Sequence, residues 1–123
     1  MIHGVGIDIC DNRRINQILK KYDTRFLNRV FLAEEITYCM DKTNPAPYLS
    51  ARFAFKEAFF KAIHVPSEIS FQDIGLTGFT GKKDVYKSPL LDKILKDLSI
   101  GNIQYSISHE RNYSIAMVTL ERA

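Results

Sequence analysis

Residues 48–63 read, in order, Tyr48-Leu49-Ser50-Ala51-Arg52-Phe53-Ala54-Phe55-Lys56-Glu57-Ala58-Phe59-Phe60-Lys61-Ala62-Ile63. We predict one long helix here, because the preceding loop ends at Pro47, a residue suited to a first helical turn. At about 100° per residue, its apolar side chains point nearly all the way round the helix axis. A helix of this kind is buried in a core or an interface.

The same helix carries four charged residues, Arg52, Lys56, Glu57 and Lys61. A buried charge costs free energy unless it is paired or bound to a metal. Glu57 and Lys61 are four residues apart, so a plain ion pair worth a few tenths of a kcal/mol is one interpretation. On a helix this aromatic we favour a functional site instead.

Asp8 is a second acid of interest, and it lies in residues 2–9, which we predict to form a buried strand. In an extended strand its side chain shares a face with Gly4 and Gly6, and such small residues let another element or a ligand come close. The competing interpretation is that Asp8 caps the helix that follows.

Asp8 and Glu57, on separate elements, are candidates to share a hard cation. Magnesium takes one or two protein carboxylates and completes its coordination with water and substrate phosphates. Neighbouring lysine and arginine side chains would neutralise further phosphate charge. This combination predicts phosphoryl chemistry, in which positioning and charge stabilisation do most of the catalysis.

The remaining sequence alternates helical and strand patterns. Asp11 or Asn12 can cap a helix through about Tyr22. Further helices are predicted at 34–40 and about 89–98, strand-like segments at 69–77 and 84–86, and a terminal hairpin at 103–109 and 113–120. We therefore expect an α+β fold, with an antiparallel sheet packed around a long central helix, in a single domain over 1–123.

The composition is that of an ordinary globular protein, with 46% hydrophobic and 25% charged residues, which excludes disorder, collagen and coiled coil. The sequence has no apolar run of about 18 residues, so we expect no membrane span. The N-terminus does not resemble a cleaved secretion signal. Cys10 and Cys39 form neither a disulfide framework nor a metal pattern, so we expect small, buried or half-buried thiols and a cytoplasmic protein.

The positive charge is concentrated near one end. The chain has a net charge of +3, and residues 1–30 hold six basic and three acidic residues. Arg14, Lys21 and, if the first helix continues, Arg25 share one flank of it. A basic helix face is usually just solvated, but this excess would suit an acidic partner. The net charge is too small to argue for nucleic acid by itself.

Ser108 and His109 suggest a catalytic triad, but adjacent strand residues point to opposite faces, so we expect none. A strand-end histidine that binds a phosphate is more plausible, with a structural His109 as the alternative. His3 and His64 have no such context, and we interpret them as structural.

At these residues the chain resembles the holo-acyl-carrier-protein synthases, the short bacterial class of 4′-phosphopantetheinyl transferases. The resemblance rests on three motifs in the right order and covers nearly the full length. They are Gly4-Val5-Gly6-Ile7-Asp8-Ile9, the Phe-x-x-Lys-Glu-(Ala/Ser)-x-x-Lys pattern of Phe53–Lys61, and Ser106-Ile107-Ser108-His109. Phe71-Gln72-Asp73-Ile74 also fits.

The resemblance implies transfer of 4′-phosphopantetheine from coenzyme A to a serine of apo acyl carrier protein, with release of 3′,5′-ADP, in support of fatty acid synthesis. It implies magnesium held by Asp8 and Glu57, with Glu57 activating the serine and Lys61 holding phosphate charge. It also implies a homotrimer with active sites between subunits. Coenzyme A would bind Arg52, Lys61, Ser108 and His109, and the carrier protein would bind Arg14, Lys21, Arg25 and Phe26.

Some positions depart from the family pattern. Ala51 stands where glycine is frequent, Phe55 where alanine is frequent, and residues 78–84 lack the Gly-x-Pro turn of relatives. A second function class remains open, a non-enzymatic module that docks an acidic protein through the basic first helix. A nucleic-acid binder is disfavoured, because the charge after residue 30 is balanced.

Overall fold

A computed structural model describes residues 1–64, 68–78 and 84–123 of the chain. Its elements are, in order, strand β1 (Ile2–Asp11), helices α1 (Asn12–Tyr22), α2 (Thr24–Val30), α3 (Ala33–Met40) and α4 (Ala46–Ile63), a 3₁₀ turn (Phe71–Asp73), strands β2 (Ile74–Thr77) and β3 (Asp84–Lys87), helix α5 (Pro89–Asp97), and strands β4 (Ile100–His109) and β5 (Tyr113–Arg122). The four predicted helices and the terminal hairpin are confirmed.

Three long strands form an antiparallel sheet in the order β1-β5-β4, and β2 and β3 pair separately. The register places Asp8 opposite Ala116 and Ile7 opposite Met117. On the other side of β5, His109 lies opposite Ser114. The predicted α+β class, with an antiparallel sheet against a long helix, is confirmed.

Helix α4 is the centre of the molecule, as its aromatic sequence predicts. Phe55, Phe59 and Ala58 have no solvent-exposed surface, and the helix packs across β1 and β5. Pro47 lies in its first turn. Both cysteines are buried free thiols, as expected.

The prediction that β1 is buried is wrong for half of its side chains. Gly4 and Gly6 face α4 and are buried. Val5, Ile7 and Ile9 point to the opposite face and are 48%, 55% and 62% exposed. The reason is that α4 covers one face of the sheet, whereas no element of the described chain covers the other side of β1.

The first helix ends at Tyr22, as predicted. Asp23 follows with a positive φ of 47°, so Arg25 lies on the next helix, α2, which the sequence did not predict. One other local prediction is wrong. Residues 71–73, predicted as strand, form the 3₁₀ turn, which Ser70 caps with its side chain. In the segment 78–84, which the sequence left without an assigned role, residues 79–83 lie outside the described residues.

Within the three described ranges, no helix is long and apolar enough to cross a membrane.

Candidate active site

Asp8 on β1 and Glu57 on α4 line one cavity of about 420 Å³, together with Arg14, Phe26 and Phe53. Both carboxylates are half-buried. The spatial convergence on which the sequence argument depends is therefore present.

The glycines of β1 allow this convergence. A Cβ atom built at Gly6 would lie 1.8 Å from the carbonyl oxygen of Ala58, and one at Gly4 would lie 1.9 Å from that of Ala62. Only a residue without a side chain lets the helix backbone approach the strand this closely. The close approach brings Glu57, on the same helix, next to Asp8.

Asp8 is not a helix cap. The cap of α1 is Asp11, whose Oδ1 accepts a hydrogen bond of 2.9 Å from the backbone N–H of Arg13. Asp8 is three residues too early for that role, and its side chain faces the cavity instead.

Lys61 connects the two elements at the edge of this cavity. Its Nζ donates to the carbonyl oxygen of Ile7 at 2.9 Å and to Asp8 Oδ1 at 3.2 Å. The ion pair of Lys61 is thus formed with Asp8, and the plain helix pair with Glu57 is not the arrangement found. The Lys61 side chain is about half exposed, so it remains accessible to an anionic ligand.

Burial raises the pKa of Glu57, the negative charge of Asp8 raises it further, and Lys61 opposes both effects. Two carboxylates held this close carry a repulsion that a divalent cation would relieve. Two carboxylate ligands beside open space also match the way Mg²⁺ binds, with water and phosphate as its other ligands. The residues present fit a magnesium ion. No cluster of three or more His, Cys, Asp or Glu is found in the described ranges.

Two of the four residues predicted to receive the carrier protein lie at this cavity. Arg14 and Phe26 line it. The ammonium of Lys21 and the guanidinium of Arg25 lie 5.3 Å and 5.7 Å from the ring centre of Tyr22. Both cations therefore lie close to one tyrosine ring, although Lys21 is on α1 and Arg25 on α2.

The other predicted coenzyme A residues lie apart from the carboxylates. Arg52 and His109 line a second groove of about 690 Å³ with Tyr38, Lys42 and Tyr48. Arg52 lies over the ring of Tyr38, 4.9 Å from its centre. Ser108 and His109 line a further shallow site with Ile9 and Tyr113. Neither Arg52 nor His109 lines the carboxylate cavity, although the shallow site of Ser108 and His109 borders on it through Ile9 and Tyr113, which line both.

Sequence reasoning missed Glu35, which is fully buried and paired with Lys56 at 2.8 Å. The sequence signal for a buried acid was Lys56, because a charged residue on a buried helix needs a partner of opposite charge. Which of the acids supplies it could not be predicted, because the two are 21 positions apart in sequence and meet only through the packing of α3 on α4.

The fold and this site define a class, that of small α+β proteins with a two-carboxylate cavity at a sheet edge, and comparison with known proteins gives the family. The model of the 4′-phosphopantetheinyl transferase superfamily matches residues 4–118. A holo-[acyl-carrier-protein] synthase of Halothermothrix orenii is 40% identical over 98% of both chains. The chain belongs to the 4′-phosphopantetheinyl transferase superfamily.

Solved structures agree with this assignment. The crystal structure of holo-[acyl-carrier-protein] synthase from Neisseria meningitidis has a TM-score of 0.89 and 34% identity, covering 99% of this chain and 100% of that one. The synthase from Bacillus anthracis in complex with CoA (3′,5′-ADP) has a TM-score of 0.78 and 30% identity, covering 100% and 99%.

Proposed function

We propose that this chain is a holo-acyl-carrier-protein synthase, which transfers 4′-phosphopantetheine from coenzyme A to a serine of apo acyl carrier protein in support of fatty acid synthesis. One domain over 1–123 would carry the activity. The supporting observation is the cavity that Asp8 and Glu57 share, with Lys61 at its edge, in a member of this superfamily.

In this reaction the serine oxygen attacks the pantetheine-side phosphorus of coenzyme A. The new oxygen–phosphorus bond forms as the bond to the bridging pyrophosphate oxygen breaks, and 3′,5′-ADP leaves with the bonding electrons. Glu57 is the candidate to accept the serine proton, because its carboxylate lines the cavity that the serine would enter and a positioned carboxylate can act as a general base. Lys61 would hold negative charge on the phosphates. Asp8 and Glu57 would bind the magnesium ion, which supplies positive charge to the pyrophosphate.

The function is tested by incubating the protein with magnesium, coenzyme A and apo acyl carrier protein. Intact-mass spectrometry should find the carrier heavier by one phosphopantetheine group. No mass change across a panel of carriers would contradict the proposal. Equal carrier binding by the wild type and Glu57→Gln, with turnover from neither, would favour a non-enzymatic docking module.

The proposal includes a homotrimer with active sites between subunits. It is supported by the uncovered apolar face of the sheet, where Ile7, Ile9 and Met117 are 55%, 62% and 45% exposed. Contiguous apolar surface of this kind marks an interaction site. An interface on this face would explain why Arg52 and His109 lie in a groove separate from Asp8 in one chain: in the assembly, a neighbouring subunit would supply them.

The proposed trimer is tested by a substitution on the exposed apolar face of the sheet. Met117→Lys introduces a charge in the middle of the exposed face, so we expect it to convert trimers into monomers and to abolish transfer. Light scattering coupled to size-exclusion chromatography measures the mass. The matched control is Met40→Lys, since Met40 is 42% exposed at the end of α3. A trimeric Met117→Lys variant, or monomeric wild type, would contradict the arrangement.

The basic patch of Arg14, Lys21 and Arg25 would bind the acidic carrier protein. Arg14 lines the carboxylate cavity, which places a positive charge where the carrier serine must enter. For Arg14→Glu we expect the KM for the carrier to rise by at least about tenfold, because like charges then meet. The KM for coenzyme A should stay nearly unchanged.

The control for this prediction is Lys93→Glu on α5, an exposed lysine outside the patch. It should leave both KM values near those of the wild type. If Arg14→Glu raises both KM values equally, the carrier does not dock on this surface. Raising the salt concentration should weaken carrier binding by the wild type more than by Arg14→Glu.

Cytoplasmic localisation is part of the proposal, because two free thiols and coenzyme A as the substrate both suit a reducing compartment.

A further inference from the structure

The side of α4 that faces away from the sheet carries a buried ion pair. Lys56 and Glu35 have fully buried side chains, and Lys56 Nζ lies 2.8 Å from Glu35 Oε1. Lys56 Nζ also donates to the carbonyl oxygens of Phe71 at 2.7 Å and Ile74 at 2.8 Å. All three protons of the ammonium group therefore have acceptors.

The carboxylate of Glu35 is equally well satisfied. Its Oε1 also accepts from the backbone N–H of Leu32 at 2.9 Å, and its Oε2 accepts from the N–H of Leu76 at 3.0 Å. The network thus joins α3, α4, the 3₁₀ turn and β2 through bonds of fixed direction. Burial lowers the pKa of Lys56, while Glu35 acts in the opposite direction.

Stability alone does not explain a buried ion pair. Apolar residues of similar volume are often neutral or stabilising in its place, because desolvating two charges costs about as much as their attraction returns. The hydrogen bonds of the pair also have defined directions, so they constrain the rotation of α4 about its axis. On the opposite side of the helix, Ala54, Ala58 and Ala62 pack with no exposed surface. These short side chains set the distance between helix and sheet.

Glu57 follows Lys56, and the two side chains point about 100° apart. A rotation of roughly 10° would move a group about 5–6 Å from the helix axis by about 1 Å, and a misplacement of that size can cost on the order of 10²-fold in rate. We propose that Glu35 and Lys56 are positioning residues for Glu57: their bonds fix the rotation of α4 and so hold Glu57 opposite Asp8. This inference rests on the transferase function proposed above.

The test compares kcat and KM in wild type and in the double variant Glu35→Gln/Lys56→Met, which removes both charges together. We expect kcat to fall at least tenfold, with KM for coenzyme A and for the carrier within about twofold of wild type, since the residues touch neither substrate. Binding of coenzyme A, measured by calorimetry, should be unchanged.

The control is Ser88→Ala. The Ser88 hydroxyl donates to Asp73 Oδ1 at 2.6 Å and caps α5, so this change loosens the same 3₁₀ turn without touching α4. Assays are run well below each variant's unfolding temperature. If the double variant does not fold, Glu35→Asp is assayed in the same way, because it keeps both charges buried as a pair while the shorter side chain draws the carboxylate away from Lys56 and from the N–H of Leu76.

A folded double or single variant with kcat within twofold of wild type would overturn the inference, as would an equal fall in Ser88→Ala. Absence of turnover from wild type would instead contradict the proposed function, so the two failures are distinguishable.

Discussion

Glu57→Gln and Asp8→Asn are each expected to lower the rate of phosphopantetheine transfer by at least about 10³-fold, while the protein stays folded. Each change removes one negative charge from the cavity that the two carboxylates share. Glu57→Gln also removes the proposed proton acceptor, and general-base catalysis is worth about 10²–10⁴-fold. Transfer is measured as the rise in mass of the carrier protein under single-turnover conditions.

The free energy of unfolding of each variant distinguishes a loss of activity at the site from a loss of the fold. Burial and the charge of Asp8 raise the pKa of Glu57, because the two carboxylates repel each other in the native state. Removing one charge relieves this repulsion, so the free energy of unfolding should be unchanged or slightly higher. The control is Glu34→Gln, an exposed acid on α3, which should keep full activity. Transfer by Asp8→Asn within tenfold of wild type would exclude Asp8 from the site.

The central helix and its meeting with Asp8 could be predicted because the signals are local. A helix apolar on every side has to be buried, and glycine on alternate positions of a strand marks where another backbone comes close. Both signals lie within a few residues of the groups that they position. The family resemblance added the identity of the reaction to a geometry that the residues already suggested.

What could not be predicted depends on contacts between distant segments. Helix α2 was not predicted, because it begins directly after Asp23, whose φ of 47° separates it from α1 without a sequence pattern that marks a new helix. The 3₁₀ turn replaces a strand at 71–73 partly because the carbonyl of Phe71 accepts from Lys56. The separation of Arg52 from Asp8 could not be predicted either, because motifs give the order of residues along the chain and not which of them line the same cavity.

Gly6→Ala is expected to abolish the native fold or leave it severely destabilised. The new Cβ would lie 1.8 Å from the carbonyl oxygen of Ala58 and 2.9 Å from the backbone nitrogen of Ala62. Both atoms belong to the backbone of α4, so no side chain can rotate away and the whole helix must shift. Overpacking of this kind costs roughly 3 kcal/mol or more, a large part of the about 5–15 kcal/mol that holds a domain folded.

Urea denaturation followed by circular dichroism measures this cost, and Gly101→Ala is the matched control. Gly101 is also a strand glycine, but its Cβ would meet Ala123 Cβ at 2.9 Å, and Ala123 is exposed and lies outside the strands, so it can shift at little cost. We expect the control to change the free energy of unfolding by only about 0.5 kcal/mol. Any Gly6→Ala protein that still folds should transfer poorly, because a displaced α4 carries Glu57 away from Asp8. Wild-type stability and activity in Gly6→Ala would mean that helix and strand do not meet at this position.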